Sequence, residues 1–155
     1  MSESNCRAAI ELLGAFLRLD MHYLDSSEAY GDGGEDSLER AMKMFLARPE
    51  LGFVWIGMED SRCVAVCVIS YAISTSAGGL VVKMDDVFVS PESRGQGIGS
   101  RHLNALIEAL RAEGVSRIDT SVHHENPGAE RFYLRNGFVS LNEERLSLLI
   151  GNNPT

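Results

Sequence analysis

The spacing of apolar residues changes several times along the chain and predicts helices mixed with strands. Apolar residues recur every three or four positions across residues 6–24 and again across 36–49, which predicts two amphipathic helices. Two runs rich in β-branched and aromatic residues follow at 53–58 and 63–73, with a short polar segment between them. These runs predict an antiparallel pair of strands.

The middle of the chain continues the mixture. A glycine pair precedes a strand predicted at 80–89, and helical spacing across 98–110 is followed by Gly114 at the position of a C-terminal cap. Residues 115–122 alternate less cleanly between apolar and polar, and we predict a strand there too.

The last part of the chain holds one more helix and one more strand. Asn126 followed by Pro127 predicts a capped helix start, and Gly137 predicts its end. A final strand is predicted near 145–149. The length of 155 residues and the apolar fraction of 45% suit a single domain spanning residues 1–155.

Charge and composition exclude several classes of protein. The net charge of −8 argues against binding to a phosphate backbone, so we expect no nucleic-acid partner. No apolar run is long enough to span a membrane and the first residues do not resemble a secretory signal, so we expect a cytoplasmic protein without a membrane partner. Cys63 and Cys67 have neither metal-site nor redox spacing and are expected to be buried thiols.

Acidic residues are concentrated near the start of the chain. Residues 19–39 contain seven Asp or Glu and no Lys or Arg. Such a run is either a solvated loop or a means of attracting a cationic substrate, and the sequence leaves both interpretations open.

Three glycines, Gly95, Gly97 and Gly99, lie where the predicted strand at 80–89 is followed by the start of the next helix. Backbone N–H groups at a helix start, together with the helix dipole, bind a diphosphate well. The string is not a dinucleotide fingerprint, because Ser100 or His102 stands where the third glycine belongs, and no lysine follows as in a Walker loop. The residues at 123–125, His-His-Glu, begin a zinc deaminase pattern, but no cysteine follows Cys67, so no metal is expected.

Two strings in the second half of the chain resemble the GNAT superfamily of acyl-CoA N-acyltransferases. They are Arg94-x-x-Gly97-x-Gly99 between strand and helix, and Asn126-x-x-Ala129-x-x-Phe132-Tyr133 followed by Asn136-Gly137-Phe138. The resemblance covers about residues 80–140. Within it, residues 84–100 are similar to diamine acetyltransferases of the spermidine/spermine type.

The resemblance implies that acetyl-CoA is the co-substrate and that main-chain groups do most of its binding. The pantetheine arm would lie along the strand backbone between the strand ends at Val89 and Val122, with the pyrophosphate on the glycine turn and arginines such as Arg101, Arg131 and Arg135 nearby. The binding residues that it implies are Val87, Phe88, Val89, Arg94, Gly95, Gln96, Gly97, Ile98, Gly99, Ser100, Asn126, Ala129 and Phe132.

The resemblance also implies catalytic roles for Tyr133 and for Asp85 or Asp86. Tyr133 matches the general acid that protonates the CoA thiolate, and a phenol ordinarily has a pKa near 10. An aspartate would contact the amine or take its proton, and the resemblance favours Asp85. Adjacent residues of a regular strand face opposite sides, so we expect Asp85 to share a face with Val87 and Val89.

We therefore expect an α/β (α+β) domain of GNAT-like architecture, with a mixed, mostly antiparallel twisted sheet of about six strands and four helices. The family's first strand is either missing or reduced to residues 1–5, because helical spacing begins almost at once. The expected activity is acetyl transfer to a primary amine of a small cationic acceptor, by a homodimer. The alternatives are a protein lysine or N-terminal acetyltransferase and a non-catalytic acyl-CoA sensor.

Overall fold

The computed structural model describes residues 1–19, 34–148 and 150, and within these residues the chain forms four α-helices and four strands. In chain order they are α1 (Cys6–Leu19), α2 (Gly34–Ala47), β1 (Gly52–Glu59), β2 (Arg62–Ser74), β3 (Gly79–Val89), a 3₁₀ turn (Pro91–Ser93), α3 (Ile98–Ala112), β4 (Ile118–Thr120) and α4 (Pro127–Arg135). The predicted helices and first three strands are thus confirmed. Residues 20–24 of the first predicted helix, and most of the acidic run, lie outside the described residues.

The strands form one mixed sheet in the order β1-β2-β3-β4. The first two pairs are antiparallel, and β3 with β4 is parallel. The crossover from β3 to β4 passes through α3, as parallel pairing requires a long connection. This crossover carries the glycine turn at its start, so the turn lies beside the end of β3.

Each face of the sheet is covered by a pair of helices and carries its own apolar cluster. The face under α1 and α2 contains Ala9, Leu13, Met42, Val54, Val66 and Phe88. The face under α3 and α4 contains Cys67, Ile69, Val82, Met84, Leu103, Leu106, Leu110 and Tyr133. Since both faces are buried, β2 is an almost continuous apolar run rather than an alternating one. Cys63 and Cys67 are buried free thiols, as expected.

A bulge at Asp86 interrupts the regular pleat of β3. The pairs on its two sides are Val68 with Asp85 and Val66 with Phe88. Asp86 and Val87 therefore lie together opposite Cys67, with one extra residue on β3. The φ angle of Asp86 is +51°, a left-handed conformation that Asp tolerates better than most residues with a side chain.

Because of the bulge, the Asp85 side chain does not lie on the face of β3 that the sequence predicted. Val87 packs in the cluster under α3 and α4, and Val89 packs with Ile98 on the same side. Phe88 instead packs under α1, and Asp85 is paired with a residue that faces α1 as well. The prediction that Asp85 shares a face with Val87 and Val89 was wrong, because the extra residue exchanges the two faces of the strand.

The sheet has four strands in the described residues rather than the six expected. The strand predicted at 115–122 is reduced to Ile118–Thr120. The final strand is absent over 145–148, where Leu146 and Leu148 are 91% and 83% exposed, since a strand forms only where its backbone finds a partner. Residues 1–5 form no strand, although the Met1 amino group donates to the Val54 carbonyl of β1 at 2.8 Å. No described helix combines the length and the apolar character needed to cross a membrane.

His102 is a buried polar residue that ties α3 to the sheet. Its side chain is 8% exposed, and its Nε2 lies 3.8 Å from the Cys67 sulfur. The Trp55 indole donates to the His102 carbonyl at 3.2 Å. Burial lowers the pKa of His102 from 6.5 to about 4, because the imidazolium loses its hydration there.

This histidine should make the fold sensitive to acid. Between about pH 7.5 and about pH 5 the unfolded chain gains a proton at this residue and the folded protein does not, so the free energy of unfolding should fall by about 2 kcal/mol. The loss ends near the folded pKa of about 4. Urea unfolding at the two pH values measures the fall. The H102Q variant should lose most of this fall in the free energy of unfolding. The control H124Q, on an exposed loop, should keep it. An equal fall in wild type and H102Q would contradict the assignment to His102.

Candidate active site

The parallel strands β3 and β4 separate part of the way along β3. Their last paired residues are Met84 and Thr120. At this point the Thr120 hydroxyl donates to the Met84 carbonyl at 2.9 Å. Beyond it β3 continues to Val89 while β4 ends. The opening expected between Val89 and Val122 therefore begins at Thr120, two residues earlier than the predicted strand end.

The glycine turn is exposed at the end of this opening. Arg94, Gly95, Gln96 and Gly97 are all exposed, and the two glycines have φ angles of +76° and +74°. Gly97 is the N-cap of α3 and has no side chain to bond the first N–H groups of the helix. The N–H groups at this helix start therefore have no capping side chain and are potential anion ligands.

Gly99 brings three elements of the candidate site together. A Cβ atom at Gly99 would lie 3.2 Å from the Phe132 ring and 3.6 Å from the Val89 side chain. The absence of a side chain thus allows the end of β3, the start of α3 and the helix α4 to meet. Gly99 has a packing role in addition to the phosphate-binding role that the sequence predicted.

Two arginine side chains donate hydrogen bonds to backbone carbonyls at the glycine turn. The Arg94 Nε donates to the Val89 carbonyl at 3.0 Å, and its guanidinium carbon lies 5.1 Å from the centre of the Phe88 ring. Arg101 donates to the Gln96 carbonyl at 3.0 Å. Both side chains are therefore held at the turn, where their remaining N–H groups can reach an anion.

Asn126 caps α4 as predicted. Its side-chain Oδ1 accepts the Ala129 N–H at 3.0 Å, and Pro127 occupies the first helical turn. Because the cap uses Oδ1, a contact between this side chain and a ligand would be made by its Nδ2 group. The capped helix presents Phe132 to Gly99 and carries the neighbouring Tyr133 into the interior.

Tyr133 is 8% exposed and lies in the apolar cluster under α3 and α4. Burial raises the pKa of its phenol to about 12, a hydrogen bond with Thr120 opposes this rise, and the charges of Asp85 and Asp86 add to it. The phenol is therefore protonated at neutral pH, as a general acid must be. Its pKa is higher than the ordinary value on which the sequence argument relied.

Of the three predicted catalytic residues, Tyr133 packs in the same apolar cluster as Met84, the residue before Asp85 in β3. Asp85 is ion-paired: the Lys83 ammonium lies 2.7 Å from its Oδ2, and the two side chains are 42% and 30% exposed. Lys83 was not singled out from the sequence. Its position two residues before Asp85, on the same face of a strand, was the available signal.

The histidines at the end of β4 also come together. Potential ligand atoms of His123, His124 and Glu125 lie within 4.8 Å of one another. However, the Nδ1 atom of His123 accepts the Glu125 N–H at 3.2 Å, and the two imidazoles stack at 4.4 Å. The sequence argument against zinc at this loop stays a prediction.

The combination of an open strand edge with an exposed glycine turn suits an extended ligand that pairs with main chain and carries phosphates. The sequence profile of the acetyltransferase (GNAT) family matches residues 18–138. The chain therefore belongs to the GNAT acetyltransferase family. The family uses acetyl-CoA as its co-substrate.

Individual relatives share less of the sequence. The chain is 30% identical to thialysine N-epsilon-acetyltransferase from Sus scrofa over 87 residues, which are 56% of this chain and 51% of that one. The chain spans about half, or less, of the length of the curated relatives that it matches.

Two solved structures share the fold. An integron cassette protein from the Cole Harbour Salt Marsh metagenome has a TM-score of 0.78 and 24% identity, covering 99% of this chain and 90% of its own. A Clostridium acetobutylicum protein, described as a predicted acetyltransferase with acetyl-CoA, has a TM-score of 0.69 and 19% identity, covering 96% and 92%. The four described strands and four helices are thus arranged as in these proteins.

Proposed function

We propose that the protein transfers acetyl from acetyl-CoA to the primary amine of a small, cationic acceptor. The observation that carries the proposal is the opening between β3 and β4, which has the exposed glycine turn at one end and begins at Met84 and Thr120 at the other. Met84 precedes the two aspartates in β3 and packs in one cluster with Tyr133. The residues that could bind the carrier and those that could act on its thioester are therefore neighbours. The acetyl-CoA described with the Clostridium acetobutylicum protein supports the same co-substrate.

In this proposal main-chain groups bind the co-substrate. The edge of β3 from Val87 to Val89 would pair with the pantetheine arm, and the N–H groups from Gly95 to Ser100 would bind the pyrophosphate. Gly95 fits this role, because a Cβ placed on it would project into open space with no atom within 4 Å. Positive φ angles at Gly95 and Gly97 direct successive N–H groups outward.

The chemistry follows as direct attack. The amine nitrogen, once deprotonated by Asp85 or Asp86 directly or through water, bonds to the acetyl carbon while the C–S bond breaks. A backbone N–H near Val89 would stabilise the oxyanion, and Tyr133 would give its proton to the leaving thiolate. The phenolate regains a proton from solvent, which received the one removed from the amine, so the reaction balances without a covalent enzyme intermediate.

The Lys83–Asp85 pair supports a cationic acceptor. The Asp85 carboxylate already binds one primary ammonium at 2.7 Å, so its geometry accepts such a group. A second primary ammonium, from the acceptor, would replace or share this partner. The acceptor class matches the resemblance to diamine acetyltransferases, and the thialysine enzyme from Sus scrofa also acts, by its name, on a small molecule.

Gly95 offers a test of the phosphate site. G95A and G78A both place a methyl group in open space on a left-handed residue, with φ of +76° and +65°, so each should lose about 1–2 kcal/mol of stability. Only G95A should also weaken acetyl-CoA binding, by roughly tenfold, because Gly78 lies at the far end of β3. Calorimetric titration measures both affinities; equal affinities for the two variants would contradict the site.

Tyr133 is tested by Y133F, which removes only the proton donor. We expect kcat to fall roughly 10²–10⁴-fold with acetyl-CoA affinity unchanged. Because the pKa of this phenol is about 12, wild-type kcat should show no alkaline decline from Tyr133 below about pH 10. The matched control is Y71F, because the pKa of Tyr71 is also raised to about 12. The Tyr71 hydroxyl donates at 2.6 Å to the carboxylate of Glu113, which follows the end of α3 far from the glycine turn. Full activity in Y133F would remove Tyr133 from the mechanism.

Asp85 is tested by the choice of acceptor. D85N should raise KM for diamines and polyamines about tenfold, since a hydrogen bond to a charged group contributes about 1.5–3 kcal/mol, and it should affect amines with neutral surroundings much less. The control D119N also replaces a carboxylate with an amide. Asp119 lies on β4 and is ion-paired with Arg117. A uniform effect of D85N on all acceptors, or the same pattern in D119N, would count against the acceptor contact.

A further inference from the structure

The outer edge of β4 is open to a further strand. On its inner side β4 pairs with β3, where the Arg117 carbonyl accepts the Val82 N–H at 3.0 Å. Because main-chain groups alternate in direction along a strand, the N–H and carbonyl groups of Ile118 point to the other side. β4 is the last strand of the sheet within the described residues. The sheet therefore ends there in main-chain groups that have no strand partner.

A mainly apolar groove of about 380 Å³ lies beside this edge. It is lined by residues 115–119, by residues 136–141 and by side chains of α3 that include Leu110. Two of the lining side chains, Val139 and Leu141, are 78% and 61% exposed. Among the described residues, none after Leu141 lines the groove. The apolar surface is thus left uncovered by the part of the chain that follows it.

The segment that follows the groove has apolar side chains without a place to pack. Residues 143–148 form neither helix nor strand. Leu146, Leu148 and Ile150 occupy every second position and are 91%, 83% and 93% exposed. Alternate apolar residues give a strand one apolar face, which is unfavourable in water. The chain therefore carries a segment with the pattern of a strand, next in sequence to a sheet edge that lacks one.

Insertion into a second copy suits this segment better than a return to its own groove. Leu141 lines the groove, so a return would require a tight hairpin at residues 142–144. These residues are Asn-Glu-Glu, whereas the tightest hairpin turns need positive φ angles and favour glycine. In the structure the segment accordingly leaves its own groove, with Leu148 exposed. A short connection that does not fold back favours the exchange of an element between two copies.

The charges of the segment and of the groove are complementary. The segment begins with the acidic residues Glu143 and Glu144. Arg111 and Arg117 line the groove, and each is ion-paired with one carboxylate of its own copy. A guanidinium group has five N–H donors, so both arginines retain donors for a second carboxylate. An acidic strand end would thus meet basic groups beside the β4 edge.

We propose that residues 143–148 of one copy pair with the outer edge of β4 in a second copy and place Leu146 and Leu148 in its groove. The exchange is reciprocal: under a two-fold axis each copy gives one segment and receives one, so the assembly closes as a dimer. A homodimer is expected from the sequence, and this exchange gives it an interface. The dimer does not depend on acetyl transfer.

The oligomeric state of the full chain tests the exchange by sedimentation equilibrium. Wild type should be a dimer, and L148E should raise its dissociation constant by roughly a hundredfold or more, because a carboxylate in the groove would be buried without a partner. L148M should keep the dimer. The matched control is M44E, because Met44 is an apolar residue of α2 that is 58% exposed and lies outside the groove. A monomeric wild type, an unchanged dimer in L148E or an equal loss in M44E would overturn the proposal.

Amide hydrogen exchange separates strand insertion from a looser contact. The Ile118 N–H faces the open side of β4, whereas the Asp119 N–H faces β3. Both should be protected in the wild-type dimer, and in L148E the Ile118 amide alone should exchange faster, by roughly a hundredfold. Fast exchange at Ile118 in a wild-type dimer would overturn the insertion. Protection of Ile118 in a monomeric wild type would show that the segment returns to its own groove and would overturn the exchange.

Discussion

The structure depends on the way in which β3 leaves its parallel partner. Pairing with β4 stops at Met84 and Thr120, and the left-handed residue Asp86 then shifts the pleat of β3 by one position. The strand still pairs with β2 on its other side, so its end remains fixed although its β4 side is open. A rigid strand with one open edge is the condition for a ligand to bind as an additional strand.

The bulge also decides which side chains surround this edge. Without it, Asp85 and Val87 would share one face and Phe88 would lie on the other face with Met84. With it, Val87 and Val89 pack under α3 and α4, whereas Asp85 lies on the face of α1 beside Lys83. The Val87 and Val89 side chains and the Asp85 carboxylate thus lie on opposite faces of a single strand.

Local signals explain which parts could be predicted from the sequence. The Asn126 cap, the positive φ angles of Gly95 and Gly97 and the helix faces depend on a few neighbouring residues, so spacing alone indicated them. The bulge at Asp86 depends on register with β2, and the pKa of Tyr133 depends on burial by distant elements. Neither is encoded by any short string. The final strand failed for the same reason, because Leu146 and Leu148 alternate correctly but find no partner within the described residues.

The division between main chain and side chains explains why the motifs indicate the co-substrate more clearly than the acceptor. The turn itself requires glycines at fixed positions, because a Cβ at Gly99 would meet Phe132 at 3.2 Å and Gly95 and Gly97 hold positive φ angles. Such requirements leave a recognisable string. The acceptor contact proposed for Asp85 leaves no such string, because the visible feature is an ion pair with Lys83 of a kind that many strands contain.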